Sequence, residues 1–435
     1  MTMAPRNPKQ TYFRCLLIVL MIVFVAVFSS ISKTSLSDGT KWKQQPEQVP
    51  SNLYDDLNDD DIYNSNNHEG FVIDYNDGDM MNYNSNGPFF ENHCQMTHDE
   101  SQWMVPDPNW QSRTPYFLLI GAKKAGTTTL FSWLRSHPQI VSGIRKELLY
   151  FLPDRFERIS PETGKVQVEK VRQDLYQDEF VDPKTRIHPD TIAFEATPGY
   201  LFLSTKSRIS ILCSVPWVKL LVTLRDPVDR CFSNYNFLLD YQVKRKGGLS
   251  ISQKRMKQNN GTVLLMHLGK TLSFEEMVEM DFADLRESGV IQDVIPPEKF
   301  AGSAEEQEAW TRYQEMDNGM SKFLDRPVGR SLYVLQILEW QRGLREIGRD
   351  PATEMLIVRN EDMKRDPHTV FKEIIWWLEL PSHELEVSKD RMVTNYRTSP
   401  MKNETRKMLH HFFEPYNQRL YHLLGWDKTK IWRTD

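Results

Sequence analysis

Residues 116–134, YFLLIGAKKAGTTTLFSWL, carry three folding signals in one stretch. The apolar run 116–120 is too short for a buried helix and reads as a buried strand. Gly121 and Gly126 then bound a turn. From Thr128 to Ser136, Leu130, Phe131, Trp133 and Leu134 recur at helical spacing until His137-Pro138 stops the pattern. A strand, a glycine-bounded loop and a helix in that order aim backbone N–H groups and a helix N-terminus at an anion. The arrangement recurs in VKLLVTLRDPVDRCFSNYNFLLDY. There 218–224 is a strand, Asp226 a helix cap, Pro227 the first helical position, and the helix runs through Tyr235. A third copy, EMLIVRNEDMKRDPHTVFKEIIWWLELP, gives a strand at 355–359 and a helix over 367–378 burying Val370, Phe371, Ile374 and Trp377. TIAFEATPGYL adds a strand ending near Glu195. Strands alternating with helices imply a parallel sheet with its ligand at the strands' C-terminal ends.

The first loop resembles a phosphate-gripping Walker A loop with its lysine displaced. That motif puts lysine directly after the second glycine, where this chain has Thr127 and Thr128; Lys124, with Lys123 beside it, lies on the crown of the turn. The second element carries Arg225 at its strand's end and Ser233 eight residues on. An arginine fork and a hydroxyl there can converge on one phosphate. Two anion sites on one sheet suit a nucleotide bearing phosphates at both its 5′ and 3′ positions. The expected fold is therefore α/β, a P-loop-like central parallel sheet flanked by helices.

The N-terminal quarter differs in character. Residues 15–31, CLLIVLMIVFVAVFSSI, contain no charge, and Arg6, Lys9 and Arg14 precede them. The run is at the short end of a membrane-spanning helix, and its basic flank places the N-terminus in the cytosol. An uncleaved anchor is the preferred reading and a cleaved signal peptide its rival; both send the rest into the secretory pathway. Between 51 and 100 there are twelve Asp and Glu and no Lys or Arg, so the remaining chain holds 54 basic against 47 acidic residues. That Asp/Asn-rich stretch cannot bury enough apolar surface to offset its chain entropy. The expected layout is a cytosolic tail at 1–14, an anchor at 15–32, an acidic, disordered stalk at 33–110 and one catalytic domain over 111–430. Cys15 lies in the anchor, and Cys94, Cys213 and Cys231 allow one disulfide with one thiol left over. No His/Cys cluster has metal-ligand spacing. Asn260-Gly-Thr and Asn403-Glu-Thr are glycosylation sequons, usable if luminal.

Five segments, IGAKKAGTTTL…SHP, KELLYF, EATPGYL, KLLVTLRDPVDRCFSNY and RNEDMKRDPHTVFKEIIWWLELP, together resemble the sulfotransferases that use 3′-phosphoadenosine-5′-phosphosulfate (PAPS). The nearest look is that of the Golgi, membrane-anchored heparan-sulfate N- and 3-O-sulfotransferases, over about 115–425. The resemblance implies a single-pass type II Golgi protein with a luminal catalytic domain. It acts on a carbohydrate hydroxyl or amine, without metal and without nucleic acid as partner. It assigns Lys124 to the oxygen bridging sulfur and the 5′-phosphate, where charge develops, and Lys123, Ala125, Gly126, Thr127, Thr128 and Thr129 to the surrounding cradle. Arg225 and Ser233 take the 3′-phosphate, Arg397 of NYRTSPM a loop closing over the nucleotide, and Glu147 the role of base. Arg145 and Lys146 face the acceptor. Where the heparan enzymes often have lysine after the EATPGYL glutamate, this chain has Ala196, removing a substrate-side charge.

Other readings stay open. A luminal sulfotransferase for a lipid or small hydroxylated metabolite would share fold and donor. A kinase would want lysine at position 127, and an inactive glycan-binding protein would not need Lys124, Glu147, Arg225 and Ser233. His137, His410 and His411 read as cap or core residues, as do the aromatics of IIWWLEL and LHHFFEPY. The span between Tyr241 and Asp325 reads as an insertion with basic clusters at 244–246 and 254–257. The sequence leaves the oligomeric state open.

Overall fold

A computed structural model describes residues 87–96, 114–152, 158–160, 162–180, 191–243, 266–267, 270–316, 325–387, 400–427 and 432. These fall within one compact unit, Phe71–Asp435. The apolar run 15–31, Asn260, both basic clusters and Arg397 lie outside the described residues. Among the described residues no helix is long and apolar enough to cross a membrane.

The central sheet has five parallel strands: β1 (Pro115–Gly121), β2 (Ile140–Ser142), β3 (Ile192–Glu195), β4 (Lys219–Leu224) and β5 (Met355–Arg359). Their spatial order is β5-β4-β1-β3-β2. The described helices of eight or more residues are α1 (Thr127–Leu134), α2 (Lys170–Asp178), α3 (Lys206–Ser214), α4 (Pro227–Val243), α5 (Phe274–Ser288), α6 (Ala304–Glu315), α7 (Tyr333–Glu346), α8 (Pro367–Trp377) and α9 (Asn403–Leu424). Alternation along β1 sends Phe117 and Leu119 to one face of the sheet and Leu118 and Ile120 to the other. Phe117 and Leu119 join a core completed by Leu130, Phe131 and Trp133 of α1 and Val370, Phe371 and Ile374 of α8. Leu118 and Ile120 join a larger core with side chains from α3, α7 and α9, among them Leu212, Trp340 and Phe413.

From β1 the chain builds β2 and β3 on one side of it, then crosses to β4 and β5 on the other. Such a reversal opens a crevice at the C-terminal ends of the two strands flanking it. Here they are β1 and β4, paired through Leu118↔Leu220 and Gly121↔Val222. The two loops that the sequence marks as anion sites therefore leave the sheet side by side.

Several boundaries differ from expectation. Residues assigned to the stalk, Pro88–His93 and Cys94–Met96, form a short helix and a strand paired with Val166–Val168. Two aromatics and a covalent bond overcome the polar composition: Phe89 and Phe90 are buried, and Cys94 is bonded to Cys213 of α3. Cys231 is the remaining thiol, buried. The 241–325 insertion contains α5 and α6, each started by a serine cap, Ser273 and Ser303, accepting from the backbone of Glu276 and Glu306. Trp376, expected in the core, is 80% exposed. The preceding Ile374 and Ile375 take the buried face of α8. His137 is a buried cap: its Nδ1 accepts from the Gln139 N–H and its Nε2 donates to the Pro381 carbonyl.

Candidate active site

The loop after β1 is shaped by two left-handed residues, Lys124 (φ 70°) and Gly126 (φ 94°). Gly126 precedes α1 and supplies it no side-chain cap, so the first-turn amides of Thr127, Thr128 and Thr129 have no intrahelical acceptor. A side chain at 126 would put its Cβ 2.3 Å from Asn360 Nδ2. Gly121 is equally confined, since a Cβ there would lie 2.4 Å from Leu201 Cβ. The loop is pinned from β4: the Ala122 N–H donates to the Thr223 carbonyl (2.7 Å), and Thr223 Oγ1 donates to the Ala125 carbonyl (2.9 Å).

Lys124 Nζ lies 4.3 Å from the centre of the Phe237 ring of α4. Burial, then the positive charges of Lys123, Arg225, Lys146 and Arg230, bring its pKa from 10.5 down to about 8. Cations gathered around a half-buried ammonium form a field that an anion would relieve. Lys123 Nζ also lies over the Phe237 ring, 5.4 Å from its centre, and donates to Asp325 Oδ2 at 2.6 Å. Burial pushes the Asp325 carboxyl up, but Arg330 at 2.9 Å and Lys123 override it and hold it at about 2. Of the two lysines expected to face the nucleotide, the structure ties one to the protein.

Arg225 directly follows β4, and Asp226 caps α4 through bonds from the Val228 and Asp229 N–H groups (2.8 and 3.0 Å). The Arg225 carbonyl accepts from the Tyr333 hydroxyl at 2.9 Å, and its guanidinium lies 3.9 Å from Asp229. Ser233 is buried one and a half turns into the same helix. Arg230, fully buried between them, donates Nε to Ser331 Oγ at 2.6 Å and Nη2 to the Pro327 carbonyl, while its Nη1 has no partner among the described residues.

The segment before β3 brings the acceptor-side residues. Lys146 Nζ donates to Thr128 Oγ1 (3.1 Å) and to Glu147 Oε1 (3.2 Å), so two hydrogen bonds separate the Glu147 carboxylate from the first turn of α1. Glu147 is half-exposed, which suits a group that must meet a substrate. Arg145 is turned away onto Glu179 at 2.6 Å. Ala196 is fully buried in the core beneath β1. Asn403 is exposed at the start of α9.

From β4 across β1 to β3, one edge of the sheet thus carries Arg225 and Ser233, then Lys124 and α1, then Glu147. Sequence reasoning missed Phe237, Arg230, Asn360 and Asp325. The first two lie on α4, where helical spacing from Ser233 was the available signal; Asp325 pairs with Lys123 from 202 residues away, and no local pattern announces that.

The sulfotransferase domain profile matches residues 114–419, most of the chain and all of this sheet edge. The chain belongs to the sulfotransferase domain family. It is 24% identical to the membrane-associated sulfotransferase kil1 of Dictyostelium discoideum over 335 residues, 72% of this chain and 66% of that protein. It is 30% identical to the bifunctional heparan sulfate N-deacetylase/N-sulfotransferase 4 of Mus musculus over 148 residues, 34% of this chain and 16% of that protein. The chain thus spans less than two thirds of either relative's length. A solved sulfotransferase from Alicyclobacillus acidocaldarius matches with 23% identity over 73% of this chain and 98% of that one, at a TM-score of 0.42.

Proposed function

We propose that this chain transfers a sulfuryl group from PAPS to a hydroxyl or amine of a carbohydrate acceptor by in-line displacement. One observation carries the reading: the Lys124 loop and the Arg225–Ser233 element leave adjacent strands β1 and β4 at the reversal point of the sheet. Two anion-binding elements so placed fit a nucleotide with phosphates at both ends of its ribose. Gly126 and the first-turn amides of α1 would hold the 5′-phosphate, and Arg225 and Ser233 the 3′-phosphate.

The acceptor oxygen then forms a bond to sulfur while the bond from sulfur to the 5′-phosphate oxygen breaks. Glu147 takes the acceptor proton, and Lys124 stabilises the charge left on the departing 3′,5′-diphosphoadenosine. Lys146, bridging Thr128 and Glu147, sits where donor and acceptor would meet. Lys123, paired with Asp325, adds positive charge beside Lys124 without a direct contact to the nucleotide. Arg397 and Asn260 keep their proposed roles in closing over the nucleotide and carrying sugar, as does Asn403. With Ala196 buried and no lysine there, a highly anionic acceptor such as heparan sulfate is less favoured than a neutral sugar.

The 15–31 run and its basic flank support a type II Golgi anchor with the catalytic domain in the lumen, and the Cys94–Cys213 disulfide suits an oxidising compartment. Mass-spectrometric screening of glycans, lipids and small hydroxylated compounds with PAPS tests the activity. Sulfated glycan products support the reading; sulfation confined to lipids or small metabolites, or none at all, contradicts it. Digestion of the catalytic domain by protease in intact microsomes would contradict the topology.

A further inference from the structure

Glu195, the last residue of β3, is 1% exposed and pairs with no cation among the described residues, yet three hydroxyls converge on its carboxylate. Thr197 Oγ1 and Tyr200 Oη donate to Oε1 at 2.6 and 2.7 Å, and Tyr176 Oη of α2 donates to Oε2 at 2.9 Å. A buried carboxylate is costly unless its acceptor sites are filled. Burial pushes its pKa up, opposed by the bonds from Thr197, Tyr200 and Tyr176.

Two of those hydroxyls have a second bond, and both lead to the same place. With their protons committed to Glu195, their lone pairs face the backbone of the segment carrying Glu147. Thr197 Oγ1 accepts from the Leu149 N–H at 3.2 Å, and Tyr200 Oη accepts from the Phe151 N–H at 3.1 Å. Between them the chain adopts a conformation that a leucine does not choose unaided, Leu149 at φ 61°. The same 197–201 stretch meets the nucleotide loop: the Leu201 N–H donates to the Ile120 carbonyl at 2.8 Å, and Leu201 packs where a Cβ on Gly121 would be.

We infer that Glu195 is a positioning residue for sulfuryl transfer: through Thr197 and Tyr200 it fixes the Glu147 segment relative to the nucleotide loop. It touches neither substrate nor reacting atoms. The inference rests on Glu147 acting as base. Glu195→Gln keeps the side chain's shape, and its amide oxygen in the Oε1 place still accepts from Thr197 and Tyr200; only Tyr176 then faces a donor. Glu195→Ala removes the acceptor altogether, so nothing orients the Thr197 and Tyr200 hydroxyls and their hold on the Leu149 and Phe151 N–H groups loosens.

The test is PAPS turnover on neutral N-acetyllactosamine oligosaccharides, which offer sugar hydroxyls. It is read beside calorimetry of 3′,5′-diphosphoadenosine and hydrogen exchange of the peptide 147–152. In Glu195→Ala, kcat falls by about tenfold to a hundredfold, as expected for a misplaced catalytic group. Nucleotide affinity holds within about twofold, and exchange of the peptide quickens. In a Glu147→Gln background the same change lowers kcat by less than about twofold more, because both act through one group. Thr197→Val reproduces the loss and Thr197→Ser recovers the rate; this pair decides the matter if Glu195→Ala does not fold. Multiplying losses for the two glutamates, or equal rates for Thr197→Val and Thr197→Ser, would overturn the positioning role and leave Glu147 as base. A Glu147→Gln enzyme at wild-type rate would overturn the base assignment itself, and the positioning role with it.

Discussion

Lys124 gives the site a titration that binding should report. Its pKa falls from 10.5 to about 8 through burial and four neighbouring cations. That fall corresponds to about 3 kcal/mol by which the surroundings disfavour the ammonium. An anion against the ammonium reverses the sign and draws its pKa back up. Above pH 8 the unliganded lysine is mostly neutral, so binding must take up a proton, and affinity falls as pH rises. The phosphates do not confound this, since their second ionisation lies near pH 6 and is complete by then. For 3′,5′-diphosphoadenosine, calorimetry should give a constant affinity between pH 7 and 7.5. At pH 9.5 it should be roughly thirtyfold weaker, following the protonated fraction of a group titrating near 8. Titrations in buffers of different ionisation enthalpy should show proton uptake approaching one above pH 8. Lys124→Arg keeps its charge throughout this range and should flatten the profile. A flat wild-type profile from pH 7 to 9.5 would refute the placement of Lys124 against the nucleotide.

Three further outcomes follow from named contacts. Glu147→Gln should lower kcat by about 10²–10⁴ while leaving PAPS affinity near wild type, the mark of a general base; steady-state kinetics beside calorimetry checks both halves. Gly126→Ala should cost about 1–3 kcal/mol, combining a left-handed alanine with a Cβ 2.3 Å from Asn360; urea unfolding reads the stability, and an unchanged midpoint would contradict the loop geometry. Cys94→Ser should lower stability by about 2–4 kcal/mol, because the Cys94–Cys213 bond closes a loop spanning 119 residues. It should also make residues 87–96 the first cleaved by protease.

What was legible in the sequence was local. The β1 loop, the Asp226 cap and the bounds of β5 follow from periods and turn residues within a dozen positions, and Lys124 and Arg225 follow with them. Three-residue β2 leaves too little pattern to read. The capping sequences SFEE and SAEE at Ser273 and Ser303 do announce α5 and α6, but basic clusters in the same span suggest a solvated loop. Long-range pairing is what a single sequence hides. The resemblance separates Lys124 from its neighbour Lys123, but nothing local tells that Lys123 meets Asp325. Arg145 and Lys146 likewise part ways, one to Glu179 and one to Thr128 and Glu147. Glu195 looks like the end of a strand until three hydroxyls from two separate segments are seen to meet on it.

The central claim is that β1 and β4 together hold a nucleotide phosphorylated at both ends. The measurement that meets it head-on is calorimetry of 3′,5′-diphosphoadenosine against adenosine 5′-phosphate, on wild-type protein and on Arg225→Ala. Charge-assisted hydrogen bonds to a phosphate contribute about 1.5–3 kcal/mol each. The doubly phosphorylated nucleotide should therefore bind at least about tenfold more tightly to wild type, and Arg225→Ala should remove most of that difference. Equal affinities for the two nucleotides on the wild-type protein would contradict the account.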